Sequence, residues 1–169
     1  NSIMDACCRL GNELIIRKNI LHETENFFVV PTIGPIGVEG YLLICSKEHF
    51  LGIGGVPAEH EPELEALIER TRRVLSREYN SGVFIFEHGP RLACHKGGGC
   101  LDHAHLHIVP TNADILSFLQ EKFALEKQTG FGRLRKIYKR AKSSYLLVES
   151  KDKKRYVIEH IFAQIKNFD

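Results

Sequence analysis

The sequence predicts an α+β fold: an antiparallel sheet of about five strands, helices packed on one side, and a C-terminal helix-hairpin extension. Three observations carry that reading. From His103 to Val109, histidines alternate with apolar residues at a period of two, the mark of a half-buried β-strand. Short apolar runs elsewhere, bounded by Gly, Pro and polar residues, read as further strands. Between Pro57 and Asn80, Leu64, Leu67, Ile68, Val74 and Leu75 recur at helical spacing with Thr71 on the same face, which gives the clearest helix.

Taken in order, the apolar pieces Leu14-Ile15-Ile16 and Asn19-Ile20-Leu21 lead to a polar turn. Phe27 to Val30 reads as a buried strand stopped by Pro31 and the Gly34-Pro35 breaker. Tyr41 to Ile44 completes a hairpin across Ile36 to Gly40. The helix after Gly52 to Gly55 carries Pro62 in its first turn and Glu59, Glu61, Glu63 and Glu65 at its positive end. Arg70, Arg72, Arg73 and Arg77 sit toward the other end, an ordinary helix charge pattern with no functional role assigned. Ser81 to Phe86 is another strand, turning at Glu87-His88-Gly89-Pro90. Ala113 to Lys127 reads as a second amphipathic helix burying Ile115, Leu116, Leu119, Phe123 and Leu125. After the break at Gly130-Phe131-Gly132, the basic run Arg133 to Lys142 keeps Leu134, Ile137 and Tyr138 at helical spacing and reads as a solvated helix face in preference to a polyphosphate or nucleic-acid clamp. Tyr145 to Glu149 and Arg155 to Ile158 flank Ser150 to Lys154 as a hairpin.

Composition bounds the function. A chain of 169 residues with 43% hydrophobic content suits a single soluble domain over 1–169. Lys+Arg 23 against Asp+Glu 21 leaves a net charge of +2, so nucleic-acid binding is not indicated. No apolar run approaches the ~18 residues of a membrane span, and no signal peptide is visible. Five cysteines, an odd number without framework spacing, suggest a reducing, cytoplasmic setting.

The chemistry concentrates at residues 96 to 107. On the strand reading, Ala104, Leu106 and Ile108 face a core, and His103, His105 and His107 line the other face about 6 to 7 Å apart. Imidazole is a nucleophile, an acid–base group and a metal ligand near neutral pH. Directly upstream, Lys96-Gly97-Gly98-Gly99-Cys100 can converge backbone N–H groups on an anion. A glycine loop before a row of histidines suggests a phosphoryl group held beside an imidazole.

His103-Ala-His105-Leu-His107-Ile-Val resembles the His-x-His-x-His-x-x signature of the histidine triad (HIT) family of nucleotide hydrolases and transferases. Gly40-Tyr41-Leu-Leu-Ile-Cys-Ser-Lys47-Glu-His49 is similar to the family's strand ending in Lys-x-His. The resemblance covers a core of about 7–112 and leaves 113–169 as an extension. It implies catalysis at an α-phosphate of a nucleotide-type substrate, with His105 as the nucleophile forming a phosphohistidine. His103 and His107 would orient it, contact phosphate oxygens and help protonate the leaving group. Gly98, Gly99 and Cys100 would stabilise phosphoryl charge through their backbone, with Glu87 at the position of a phosphate-site Asn or Gln. Val30, Thr32 and Ile33 would lie near base and ribose. Tyr41 stands where many relatives carry a fourth histidine. The resemblance further implies a homodimer joining its sheets, and no cofactor.

Two other readings come from different classes. Many bacterial relatives hold a structural zinc with a Cys-x-x-Cys pair and two histidines. Here the pair degenerates to Cys8 with Asp5 three residues earlier, leaving Cys8, His49 and His103 as ligands. Broken four-ligand spacing argues against an occupied metal site. A nucleotide-binding regulatory protein with little catalysis would use the same pocket.

Overall fold

The computed structural model describes residues 19–32, 37–89, 103–140 and 144–159. Among the described residues one sheet holds eight strands: β1 (His22–Glu23), β2 (Phe27–Pro31), β3 (Leu42–Ser46), β4 (Val83–Gly89), β5 (His105–Pro110), β6 (Glu126–Gln128), β7 (Tyr145–Glu149) and β8 (Arg155–Glu159). Their order is β1-β2-β3-β5-β4-β7-β8-β6, antiparallel throughout. The α-helices among the described residues are α1 (Glu61–Tyr79), α2 (Ile115–Lys122) and α3 (Gly132–Lys139). The expected count of about five strands is therefore corrected to eight. The region past residue 112 continues the sheet: β7 runs along β4 from Ile85↔Glu149 to Gly89↔Tyr145, with β8 and β6 beyond it.

One face carries the main core. Val29, Ile44, Leu106, Ile108, Val83, Ile85, Leu147 and Val157 pack beneath Leu64, Leu67, Ile68 and Leu75 of α1 and Leu134 and Ile137 of α3. The α1 positions were legible as one helical stripe, Val74 excepted, which is 45% exposed. Helix α1 ends at Asn80, whose left-handed backbone (φ 46°, ψ 46°) donates its N–H to the Ser76 carbonyl, a common helix stop.

Charge on α1 is more than helix decoration. Arg72 is buried, donates to the Val83 carbonyl at 2.9 Å and pairs with Glu149. Glu149 also accepts from Arg155 at 2.6 Å, and Arg155 reaches Glu65 at 2.6 Å. The Arg155 guanidinium lies 4.2 Å from the centroid of the Phe131 ring. Glu61 accepts from the Phe131 N–H at 3.0 Å and from Arg135 at 2.5 Å. These contacts bolt α1 to the C-terminal third of the chain.

Helix α2 departs from expectation. Asp114 caps it by accepting from the Ser117 N–H (3.2 Å) and hydroxyl (2.7 Å). The helix stops at Phe123, whose backbone is extended (φ −135°), so it is shorter than Ala113 to Lys127. None of its residues is buried. Ile115, Leu116 and Leu119 are half-buried and Phe118 is 59% exposed. No helix among the described residues is long and apolar enough to cross a membrane.

The opposite face of the sheet bears a smaller apolar cluster: Phe28, Val30, Tyr41, Leu43 and Cys45, joined by Ile20, Phe86 and Val109. It is on this face that the polar side chains of β5 emerge.

Candidate active site

Strand β5 is flanked by β3 and β4, with Leu43 opposite His107 and Cys45 opposite His105. Ala104, Leu106 and Ile108 are buried in the main core, and that parity turns His105 and His107 to the other face. Their rings meet edge to face with centroids 4.6 Å apart. Phe86 lies flat on His107, centroids 4.3 Å apart and planes within 9°. Tyr41 meets His107 edge-on at 5.7 Å. Just before Tyr41, Gly40 turns the chain with φ +72°, and a Cβ there would lie 2.3 Å from the Tyr79 ring, so only glycine fits both demands.

The hydrogen bonds assign every proton. His105 Nδ1 lies 2.6 Å from the carbonyl oxygen of His103. A carbonyl only accepts, so Nδ1 carries the hydrogen and Nε2 of neutral His105 carries the lone pair. Facing it at 3.0 Å is Nε2 of His107, which must donate. His107 Nδ1 is then an acceptor, and the Tyr41 hydroxyl at 2.7 Å donates to it. Burial holds both rings neutral: it depresses the pKa of His105, and that of His107 falls to about 3, aided by the neighbouring His105 and His88. The relay Tyr41–His107–His105 thus ends on one nitrogen lone pair.

His103 lies just ahead of the assigned strand, which begins at His105. Ala104 still bonds in the β3–β5 register, its carbonyl accepting from the Ser46 N–H (3.1 Å), while its N–H donates to the Phe50 carbonyl (2.6 Å). The His103 ring is buried, with Nε2 at 2.7 Å from the Ser46 carbonyl and 3.2 Å from its hydroxyl. Its carbonyl accepts from His105 Nδ1 and so orients the pair formed by the His105 and His107 rings.

Glu87 is also corrected. β4 alternates Val83, Ile85 and Glu87 toward the helices, so this carboxyl points away from the imidazoles. It is 1% exposed, accepts from the Ile53 N–H (2.6 Å) and from the Tyr145 hydroxyl (2.7 Å), and is not a phosphate contact. Burial raises its pKa to about 8 against the pull of those two donors. Tyr145 packs directly over Gly89, where a Cβ would lie 2.1 Å from the ring.

Val30 is packed into the apolar cluster on the imidazole face, 3% exposed. Thr32, just past β2, is half-buried and donates its N–H to the Tyr41 carbonyl at 3.1 Å. Ile33, Gly98, Gly99, Cys100, Cys8 and Asp5 lie outside the described residues. Of the degenerate zinc set, the described members are His49 and His103, whose rings meet edge to face at 5.1 Å. Among the described residues no three His, Cys, Asp or Glu side chains gather as a metal site. Sequence reading passed over two site residues. Tyr41 stands in the sequence only as a substitution, and His88 as a turn residue and a possible partner of Glu87 or a metal, although both share parity with the imidazole face.

No family model and no curated protein sequence matches the chain. Solved structures do. A DUF4931 family protein from Bacillus cereus is 17% identical, with a TM-score of 0.59 over 84% of this chain and 85% of its own. A hypothetical protein from Leishmania major is 20% identical, with a TM-score of 0.50 over 65% and 77%. A Hit-like protein from Bartonella henselae aligns at 13% identity and a TM-score of 0.49 over 62% and 76%. The first two likenesses establish a shared fold.

Proposed function

We propose that this chain is a histidine triad protein: a nucleotide hydrolase or nucleotidyl transferase acting at an α-phosphate through a phosphohistidine on His105. The observation that carries the reading is the relay from Tyr41 through His107, which leaves His105 with a single lone pair on Nε2 and fixes the ring through its other nitrogen. A neutral imidazole so held is a competent nucleophile toward phosphorus. Nε2 attacks, the P–N bond forms, and the leaving group departs with the electron pair of its bond. The His107 N–H, released from that lone pair, turns to a phosphoryl oxygen as negative charge develops there. Water then cleaves the phosphoamidate and restores the imidazole.

Other parts of the pocket follow the same reading. Gly98, Gly99 and Cys100, in the connection from β4 to β5, would supply backbone donors to the phosphoryl group. Val30, Thr32 and Ile33, at the end of β2, would border the nucleoside. His103 contributes its carbonyl. The substrate is a nucleoside phosphoramidate, a dinucleoside polyphosphate or a nucleotide sugar, and no cofactor enters the scheme. A nucleotide-binding protein without turnover is the competing reading, and the 4% exposure of His105 favours it.

One experiment separates them. Wild type and His105→Ala are assayed across those three substrate classes, with acid quench to trap the adduct. The enzyme reading expects an adduct on the wild type and a loss of roughly 10³-fold or more in turnover for the variant, with folding and nucleotide binding retained. Equal turnover in both proteins, or none in the wild type on any substrate, gives the decision to the binding protein.

A further inference from the structure

His88 has no role in the scheme above, yet it stands on the reactive face. Along β4, Val83, Ile85 and Glu87 turn to the helices, and Phe84, Phe86 and His88 turn the other way, a parity fixed by the stacking of Phe86 on His107. The pairing of β4 with β5 runs from Val83↔Pro110 to Phe86↔His107. His88 stands two residues beyond that last pair on the same parity, near enough to act electrostatically on both His105 and His107. From the other side β4 is held by β7, with His88 paired to Leu146, so the backbone there is anchored. His88 is half-buried, whereas His105 is 4% exposed, so His88 is more open to water than the nucleophile. The nitrogens of His107 are both engaged within the relay, and Nδ1 of His105 is engaged with a carbonyl.

We propose that His88 is a catalytic residue of the second half-reaction, the general base that accepts a proton from the water attacking the phosphoamidate on His105. The proposal rests on His105 being the nucleophile. The balance is simple. A water oxygen bonds to phosphorus, the P–Nε2 bond breaks and returns its electron pair to His105, and one water proton passes to an imidazole nitrogen of His88. His88 then releases that proton to solvent. Burial lowers the His88 pKa, which keeps the ring neutral and able to accept at neutral pH.

The test resolves the two half-reactions by quenched flow, following the covalent adduct by intact-protein mass with a nucleoside phosphoramidate as substrate. His88→Ala and His88→Asn are expected to form the adduct at the wild-type rate within about twofold. Adduct decay should slow by roughly 10²- to 10⁴-fold, the usual worth of a general base, so that adduct accumulates and steady-state turnover shows a burst. Added imidazole should speed decay in His88→Ala but not in wild type. Decay at the wild-type rate in both variants overturns the proposal, and so does an equal slowing of formation and decay, which marks a structural role. A wild type that forms no adduct with this substrate while remaining folded overturns the nucleophile reading and this one with it. An adduct in wild type with unaltered decay in the variants removes His88 alone.

Discussion

Replacing Tyr41 by Phe removes one atom from the relay and leaves the ring that packs on His107. What is lost is a 2.7 Å hydrogen bond to Nδ1 of a buried imidazole. Leaving such an acceptor unsatisfied costs about 1–3 kcal/mol. Because His107 Nδ1 is otherwise free to take the hydrogen itself, the ring can flip its tautomer, and Nε2 then faces the lone pair of His105 with a second lone pair. If this full cost falls on the reacting complex, kcat drops by roughly 5- to 150-fold, with KM little changed, since the phenol does not reach substrate in the scheme. Steady-state kinetics on the best substrate of the panel gives the first number. Long-range ¹⁵N–¹H spectra of the imidazoles give the second: one Nε2–H tautomer of His107 in wild type, a mixture in the variant. Unaltered kcat together with an unaltered tautomer would refute the proton assignment from which the mechanism starts.

Two further predictions concern stability. The Glu87 carboxyl is raised from 4.5 to about 8 by burial, so the folded protein binds a proton that the unfolded chain releases. Its stabilising effect is complete below pH 4.5 and declines by up to roughly 1.4 kcal/mol per pH unit as pH rises toward 8. Urea denaturation of wild type against Glu87→Gln should show a stability difference that shifts across this window, and a constant difference would mean the carboxyl is not protonated in the fold. Glu149→Ala strips the shared counter-ion from Arg72 and Arg155, both buried. The expected loss is roughly 3–5 kcal/mol, read by the same titration, and a change under about 1 kcal/mol would show that the network contributes little.

The sequence was most legible where one face of an element is apolar and the other is not. The β5 alternation and the α1 stripe are of that kind, and both elements lie where the pattern puts them. β4 was opaque because both of its faces are covered. In Val83-Phe84-Ile85-Phe86 every residue is apolar, so nothing local says whether Glu87 or His88 faces the imidazoles. The role of each histidine in the row was less legible. Alternation continues to His103 in sequence, but no local pattern says that its carbonyl accepts from His105 Nδ1 or that its ring meets the Ser46 carbonyl. The pairing of β7 with β4 joins residues about 60 apart, and such contacts write no period into the chain. The charges of α1 looked like a solvated pattern because their partners, Glu149, Arg155 and Arg135, come from the distant C-terminal segment.

The way the sheet is bordered bears on how two copies of the chain can meet. β4 has a neighbour on each side from within its own chain, and the outermost described strands are β1, of two residues, and β6, of three. Rims that short expose few unpaired amides and carbonyls, the template that strands need for intermolecular docking. Growth of the sheet across a subunit boundary finds little unpaired backbone at the described rims, β1 and β6.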